Sequence, residues 1–202
     1  MRVIETGRSV TADARRRQIV AAAIEVLADE GFARASFARI ADQAGVASTR
    51  MISYHFADRD ELMREVVSTV LGEAGPHIER FVPVDASPAA QLRGLVLGNV
   101  DYYAGHRREV AAAQEVWNGL RDAAGRPVYG LHSHELEFEM VGQVLRAGQE
   151  RGEFRDFDVR FMCVALRHLL NGAAAVLVAD PETDVDALGA QLVATVDRAT
   201  RR

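Results

Sequence analysis

The sequence predicts an all-α protein of about nine helices, and three observations predict it. Apolar residues recur at three- and four-residue spacing along most of the chain. No run alternates apolar and polar residues as a half-buried strand would. Glycine, proline and Ser/Thr/Asp residues sit between the periodic runs, where helices start and stop. The chain has 202 residues and is 49% hydrophobic, enough for one substantial core plus a small satellite domain.

Residues 1–10 lack periodicity and read as a loose arm. Thr11 or Asp13 caps a first helix over 14–30, in which Ile19, Ala22, Ala23, Val26 and Leu27 form one apolar stripe. Gly31 ends it and Phe32 follows as a core anchor. Ser36 caps a two-turn helix over 37–44 with Phe37, Ile40, Ala41 and Ala44 on one side. Gly45 breaks that helix, and Ser48 or Thr49 starts the next, which runs to about Phe56. Asp58 caps a fourth carrying Leu62, Met63, Val66, Val67 and Val70, which Gly72, Gly75 and Pro76 should end or kink. Five more helices are expected over 89–104, 106–120, 131–148, 159–178 and 184–199.

The formal net charge is -5, but it is unevenly placed. Residues 1–60 carry nine arginines against eight carboxylates, and the remainder carries 15 against 21. The acidity belongs to the back of the chain, which leaves the front free to meet a polyanion. All 24 basic residues are arginine, so any phosphate contact from a basic side chain uses a guanidinium. Cys163 is the single cysteine, which excludes a disulfide framework or a thiolate zinc site within one chain. The longest apolar region, 161–179, is interrupted by Arg167, His168 and Asn171, so no membrane span is expected. With no signal peptide evident, the expected location is the cytoplasm. No phosphate-binding glycine loop, Gly-x-Ser-x-Gly or His-Glu-x-x-His is present, so an enzyme is not expected and no cofactor is assigned. His132 and His134 are too close together for the helical pair that binds zinc well.

The informative stretch is SFARIADQAGVASTRMISYHFADRDEL, residues 36–62. Two short helices joined at a glycine form a helix-turn-helix, in which a support helix holds a reading helix at the angle the major groove accepts. Ile40, Ala41, Ala44 and Val46 supply the packing. Ser48, Thr49 and Arg50 project toward base edges, with Arg50 suited to a bidentate contact to guanine. Tyr54 and His55, one turn on with Ser53, reach phosphates, and Arg59 at the start of the fourth helix does the same with nearby backbone N–H groups. Ser36 completes the DNA-facing set. This stretch, with Gly31–Phe32, resembles the TetR family of bacterial regulators: a Gly–aromatic pair, Ile-Ala-x-x-Ala-Gly-Val, a Tyr-x-Phe close and a basic residue opening helix four. One extra residue lies between Gly45–Val46 and Tyr54 than is commonest there, leaving open which of Ser48, Thr49 and Arg50 faces the bases.

The resemblance implies a helix-turn-helix domain over 1–58 and a ligand-binding and dimerisation domain over 59–202. The helix over 159–178 is apolar on both sides: Phe161, Val164, Ala165, Leu169 and Val176 on one, Met162, Leu166, Leu170, Ala173 and Leu177 on the other. One side fits the chain's own core. The other fits a second subunit, completed by Leu188, Leu192, Val193 and Val196 of the last helix. Polar and aromatic residues set in apolar helices are the candidates for a small-molecule effector site: Tyr102, Tyr103, Trp117, Phe138, His168 and Asn171. The function expected is a homodimeric, effector-released repressor at a palindromic double-stranded DNA operator. The alternative keeps the DNA head and makes the back domain a protein-interaction module.

Overall fold

The computed structural model describes residues 4–202, with side chains from Ala12 onward. It contains α1 (Ile4–Glu30), α2 (Phe37–Gln43), α3 (Thr49–His55), α4 (Arg59–Glu79), α5 (Pro88–Gly105), α6 (Arg107–Gly119), α7 (Glu135–Glu150), α8 (Val159–Ala179) and α9 (Val185–Thr200). Short 3-10 turns occupy Phe32–Arg34 and Leu131–His134. Among the described residues the only β pairings are two isolated bridges, Arg121 with Pro127 and Phe154 with Arg201.

Two elements differ from the sequence reading. The helix placed over 14–30 begins at Ile4, so most of the expected loose arm is helical and Thr11 and Asp13 lie inside it. No proline interrupts this stretch, and once a helix is nucleated each added residue gains a hydrogen bond. Residues 1–3 of the expected arm lie outside the described residues. The fourth helix also continues through Gly72, Gly75 and Pro76 to Glu79. A proline there removes a single backbone hydrogen bond, and the turns on either side remain helical.

The chain divides into two compact units: residues up to Leu71 together with 108–128, and residues 72–107 together with 129–202. In the first unit, Ile19, Ala22, Ala23, Val26 and Leu27 of α1 are all buried, with Ile40, Ala41, Ile52, Phe56, Leu62, Met63 and Val66. Arg108 of α6 ties onto α1 through Glu25 at 2.6 Å and Asp29 at 2.7 Å. Glu115 accepts the Phe32 N–H at 2.8 Å.

In the second unit α5 is the central element, packed against α7, α8 and α9. Leu92, Val96, Val100, Tyr102 and Tyr103 are buried on it. Arg93 grips both carboxylate oxygens of Asp197 on α9, donating from Nη2 to Oδ2 at 2.6 Å and from Nε to Oδ1 at 3.1 Å. The α8 helix is long and apolar enough to cross a membrane by length and composition alone, yet its middle carries Arg167 in a polar network. The guanidinium donates to the Tyr103 hydroxyl at 2.7 Å and pairs with Glu137 at 3.2 Å, and the Tyr103 hydroxyl donates to Asn99 at 2.8 Å. Cys163 is buried beside this network with its thiol 3.6 Å from the Phe138 carbonyl.

Candidate nucleic-acid interface

The two short helices are set by their ends. The Ser36 hydroxyl accepts the Arg39 N–H at 3.3 Å and so starts α2. Gly45 has a φ of 63°, the left-handed conformation that a side chain would disfavour, and this reverses the chain after Ala44. Residues 44–48 then connect α2 to α3. Gln18 of α1 clamps the turn by donating to the Ala44 carbonyl at 2.7 Å. Ile52 is the buried residue of α3 and anchors it to the core.

Everything else on the front of α3 is free to meet a partner. Ser48, Thr49, Arg50, Met51, Ser53 and Tyr54 are exposed. Tyr54 is 80% exposed, so it is not a core aromatic. It stands edge-on to the half-buried His55 ring at 5.0 Å. The Ser53 hydroxyl bonds back to the Thr49 carbonyl at 3.3 Å. A single buried isoleucine behind a ridge of hydroxyls, one guanidinium and one phenol is chemistry suited to base edges and phosphates.

Two of the expected DNA contacts also have structural tasks. The Ser36 oxygen accepts the α2 cap bond, and its O–H is left as a donor. Arg59 turns inward: its guanidinium donates to the Ala35 carbonyl at 2.8 Å and to the Phe32 carbonyl, and lies over the Phe32 ring at 4.1 Å. Burial lowers its pKa below the usual arginine value. Two of its five N–H donors are thus spent on bracing the Gly31–Ala35 turn. Arg59→Lys keeps the charge and loses the fork. It should lower the stability of the first unit by about 1–3 kcal/mol, read by urea unfolding. A variant as stable as the parent, with weaker DNA binding, would return Arg59 to the phosphate role.

Sequence reasoning missed a second arginine of this kind. Arg16 of α1 donates to the His55 carbonyl at 2.7 Å, pairs with Glu65 at 3.0 Å and covers the Phe56 ring at 4.2 Å. It fastens the end of α3 to α1 and α4. The run Arg15–Arg17 offers no signal that singles out its middle member, except that Arg16 is three residues before the buried Ile19.

The six effector candidates are divided between the two units. Tyr102, Tyr103 and Phe138 are buried in the second unit, while Trp117 lies in the first. His168 and Asn171 are exposed, because they share the outer side of α8 with Ala165 and Gly172. Of the two apolar sides expected on α8, this outer one is the less covered: Phe161 is 70% and Val176 47% exposed and Val164 and Leu169 are half-buried, whereas Met162, Leu166, Leu170, Ala173 and Leu177 are buried. On α9, Leu192 and Val196 turn inward, leaving Leu188 and Val193 only half-buried. Leu188, Leu192 and Val196 follow one another at four-residue spacing on one side of that helix, with Val193 beside them.

Comparisons with known proteins agree with this geometry. Residues 19–66 match the family model described as bacterial regulatory proteins, tetR family, and residues 85–195 match the tetracyclin repressor-like C-terminal domain. The chain is 28% identical over 201 residues to the HTH-type transcriptional repressor NicS of Pseudomonas putida, covering 92% of this chain and 93% of that one. It is 31% identical over 172 residues to the HTH-type transcriptional regulator BetI of Ectopseudomonas mendocina, covering 79% and 84%. Among solved structures, a TetR-family regulator from Rhodococcus sp. superposes with a TM-score of 0.77 at 19% identity, covering 92% and 98%.

Proposed function

This chain belongs to the TetR family of bacterial transcriptional regulators, and from that premise we propose that it is a homodimeric repressor released from a palindromic operator by a small-molecule effector. The observation that carries the DNA half is α3, buried at Ile52 and otherwise presenting Ser48, Thr49, Arg50, Ser53 and Tyr54 to solvent. Arg50 reads a base edge, and Tyr54 and His55 contact phosphates that fix the register. Residues 1–58 carry this head, and residues 59–202 sense and dimerise. Purified protein on DNA from around its own coding region should bind tightly, with affinity falling steeply as salt rises. An Arg50→Ala/Tyr54→Ala variant should lose about 100-fold in affinity for the specific site, since each good base contact contributes about 1–3 kcal/mol. Equal binding by parent and variant would remove α3 from the reading role.

The partner half rests on the outer side of α8. Its exposed Phe161 and Val176 flank Ala165 and Gly172, small residues that let a helix from a second copy come close. A two-fold pairing through α8 and α9 places two heads on one palindrome. Val176→Arg should convert the dimer to monomer in sedimentation measurements while leaving the fold intact. A Val176→Arg protein that sediments as a dimer would move the interface elsewhere.

A further inference from the structure

The second unit holds a cleft of about 450 Å³ lined by Glu73, Pro76 and His77 of α4, by Arg80 just beyond it, and by Tyr102 and His106 at the end of α5. Its size lies within the range of small-molecule sites. Of the six effector candidates in the sequence, only Tyr102 reaches it.

The walls are aromatic. His106 stacks on Tyr102 at 4.2 Å with an interplanar angle of 17°. His77 stands edge-on to Tyr102 at 5.4 Å and to His106 at 5.7 Å, and stacks on Phe81 at 5.7 Å. A flat ring is the shape that such walls receive.

The hydrogen bonds fix the tautomers. An Arg80 Nη2 donates to His77 Nδ1 at 2.7 Å, and a guanidinium can only donate, so Nδ1 carries the lone pair. His77 Nε2–H therefore donates to the Asp101 carboxylate at 2.7 Å. His106 Nδ1 lies 2.9 Å from the Tyr102 carbonyl, which can only accept, so Nδ1 carries a proton and, in the neutral ring, Nε2 is the acceptor. The cleft thus offers His106 Nε2 as an acceptor and Arg80 as a cation, with the Glu73 carboxylate on its rim. No carboxylate pairs with Arg80 among the described residues. The Asp101–His77–Arg80 chain holds the guanidinium in place, whereas Glu73 on the rim is exposed and has no such support.

We propose that this cleft binds a small aromatic carboxylic acid bearing a ring hydroxyl. Arg80 pairs with the carboxylate, His106 Nε2 accepts from the hydroxyl, and the His77–Tyr102–His106 group packs around the ring. This rests on the reading of the chain as an effector-responsive regulator and gives that effector a chemical class. The cleft also touches α4, the helix whose first residues close the DNA-reading head, on the three residues Glu73, Pro76 and His77.

The test is calorimetric titration of the full chain with 4-hydroxybenzoate, benzoate, 4-hydroxybenzyl alcohol and benzyltrimethylammonium. The hydroxy acid should bind tightest. Arg80→Ala, at an exposed position, should weaken both acids about tenfold or more and leave the alcohol unchanged, as expected for loss of a charged hydrogen bond. His106→Ala should erase the difference between 4-hydroxybenzoate and benzoate. Tighter binding of the ammonium compound, no binding of either acid, or acid binding untouched by Arg80→Ala would each overturn the proposal. The same samples are assayed on operator DNA. Acid bound through Arg80 with unchanged DNA affinity would uphold the site and instead count against effector-released repression.

Discussion

Gly94→Ala is expected to lower the melting temperature by roughly 6–12 °C. A Cβ at this position would lie 2.2 Å from the Phe81 carbonyl oxygen, 2.9 Å from its carbon and 3.1 Å from the Val82 Cα. All three are backbone atoms, so no rotamer change relieves the contact. The turn they belong to is itself fixed, by the Phe81 N–H to Ile78 carbonyl bond at 2.9 Å and the Val82 N–H to Glu79 carbonyl bond at 3.1 Å. Alanine gains about 1 kcal/mol of helix propensity over glycine. Displacing α5 from the end of α4 costs more, about 4 kcal/mol, above the ~1–3 kcal/mol of ordinary overpacking because every clashing atom is backbone. The net loss is expected near 3 kcal/mol, measured by thermal or urea unfolding. A variant that melts with the parent would mean that the 80–82 turn moves aside freely.

Glu137→Ala is expected to cost a similar amount, about 3 kcal/mol, because it strands Arg167 in the middle of α8. The Arg167 side chain is only 11% exposed, and its Nε already lacks a partner among the described residues. Replacing both members of the pair, as Glu137→Leu/Arg167→Met, should cost less than Glu137→Ala alone, since no buried charge is left behind. A double variant less stable than the single one would show that the network stabilises beyond its charge balance.

The same pair predicts an acid-side loss of stability. Burial alone would raise the Glu137 carboxyl, but the His134 hydrogen bond and the Arg167 charge outweigh it and hold it below its ordinary value of 4.5. A carboxyl depressed in the folded state contributes stability that is full above its unfolded value and disappears as the pH falls through the folded one. Stability should therefore fall below about pH 4.5, and Glu137→Gln should flatten this slope.

The helices and the reading head were legible because their signals are local. Periodicity gave the stripe on α1, and Ser36, Gly45 and Asp58 gave the boundaries around α2 and α3. The grouping of α8 residues into two sides was also legible, because an apolar helix of 21 residues has a regular phase, although Val164 and Leu169 are only half-buried. What stayed hidden depends on partners distant in the sequence. Arg59 reads as a surface cation until Phe32 and Ala35, more than twenty residues earlier, are brought beneath it. His168 and Asn171 read as pocket residues because composition does not say which side of α8 is covered. The cleft beside α4 was invisible for the same reason: His77, Arg80, Asp101 and His106 come from two helices, and Pro76 read as a helix end when it is part of the wall.

The solitary thiol offers a practical consequence. Cys163 is 3% exposed, sits against the Phe138 carbonyl, and has its pKa raised by burial. A reagent that alkylates thiolates can reach it only when α7 and α8 part. Because no other cysteine competes, the alkylation rate of the unaltered chain is a clock for the opening of its second unit. A ligand that settles between those helices would slow that clock, and a substitution that loosens them, such as Glu137→Ala, would speed it.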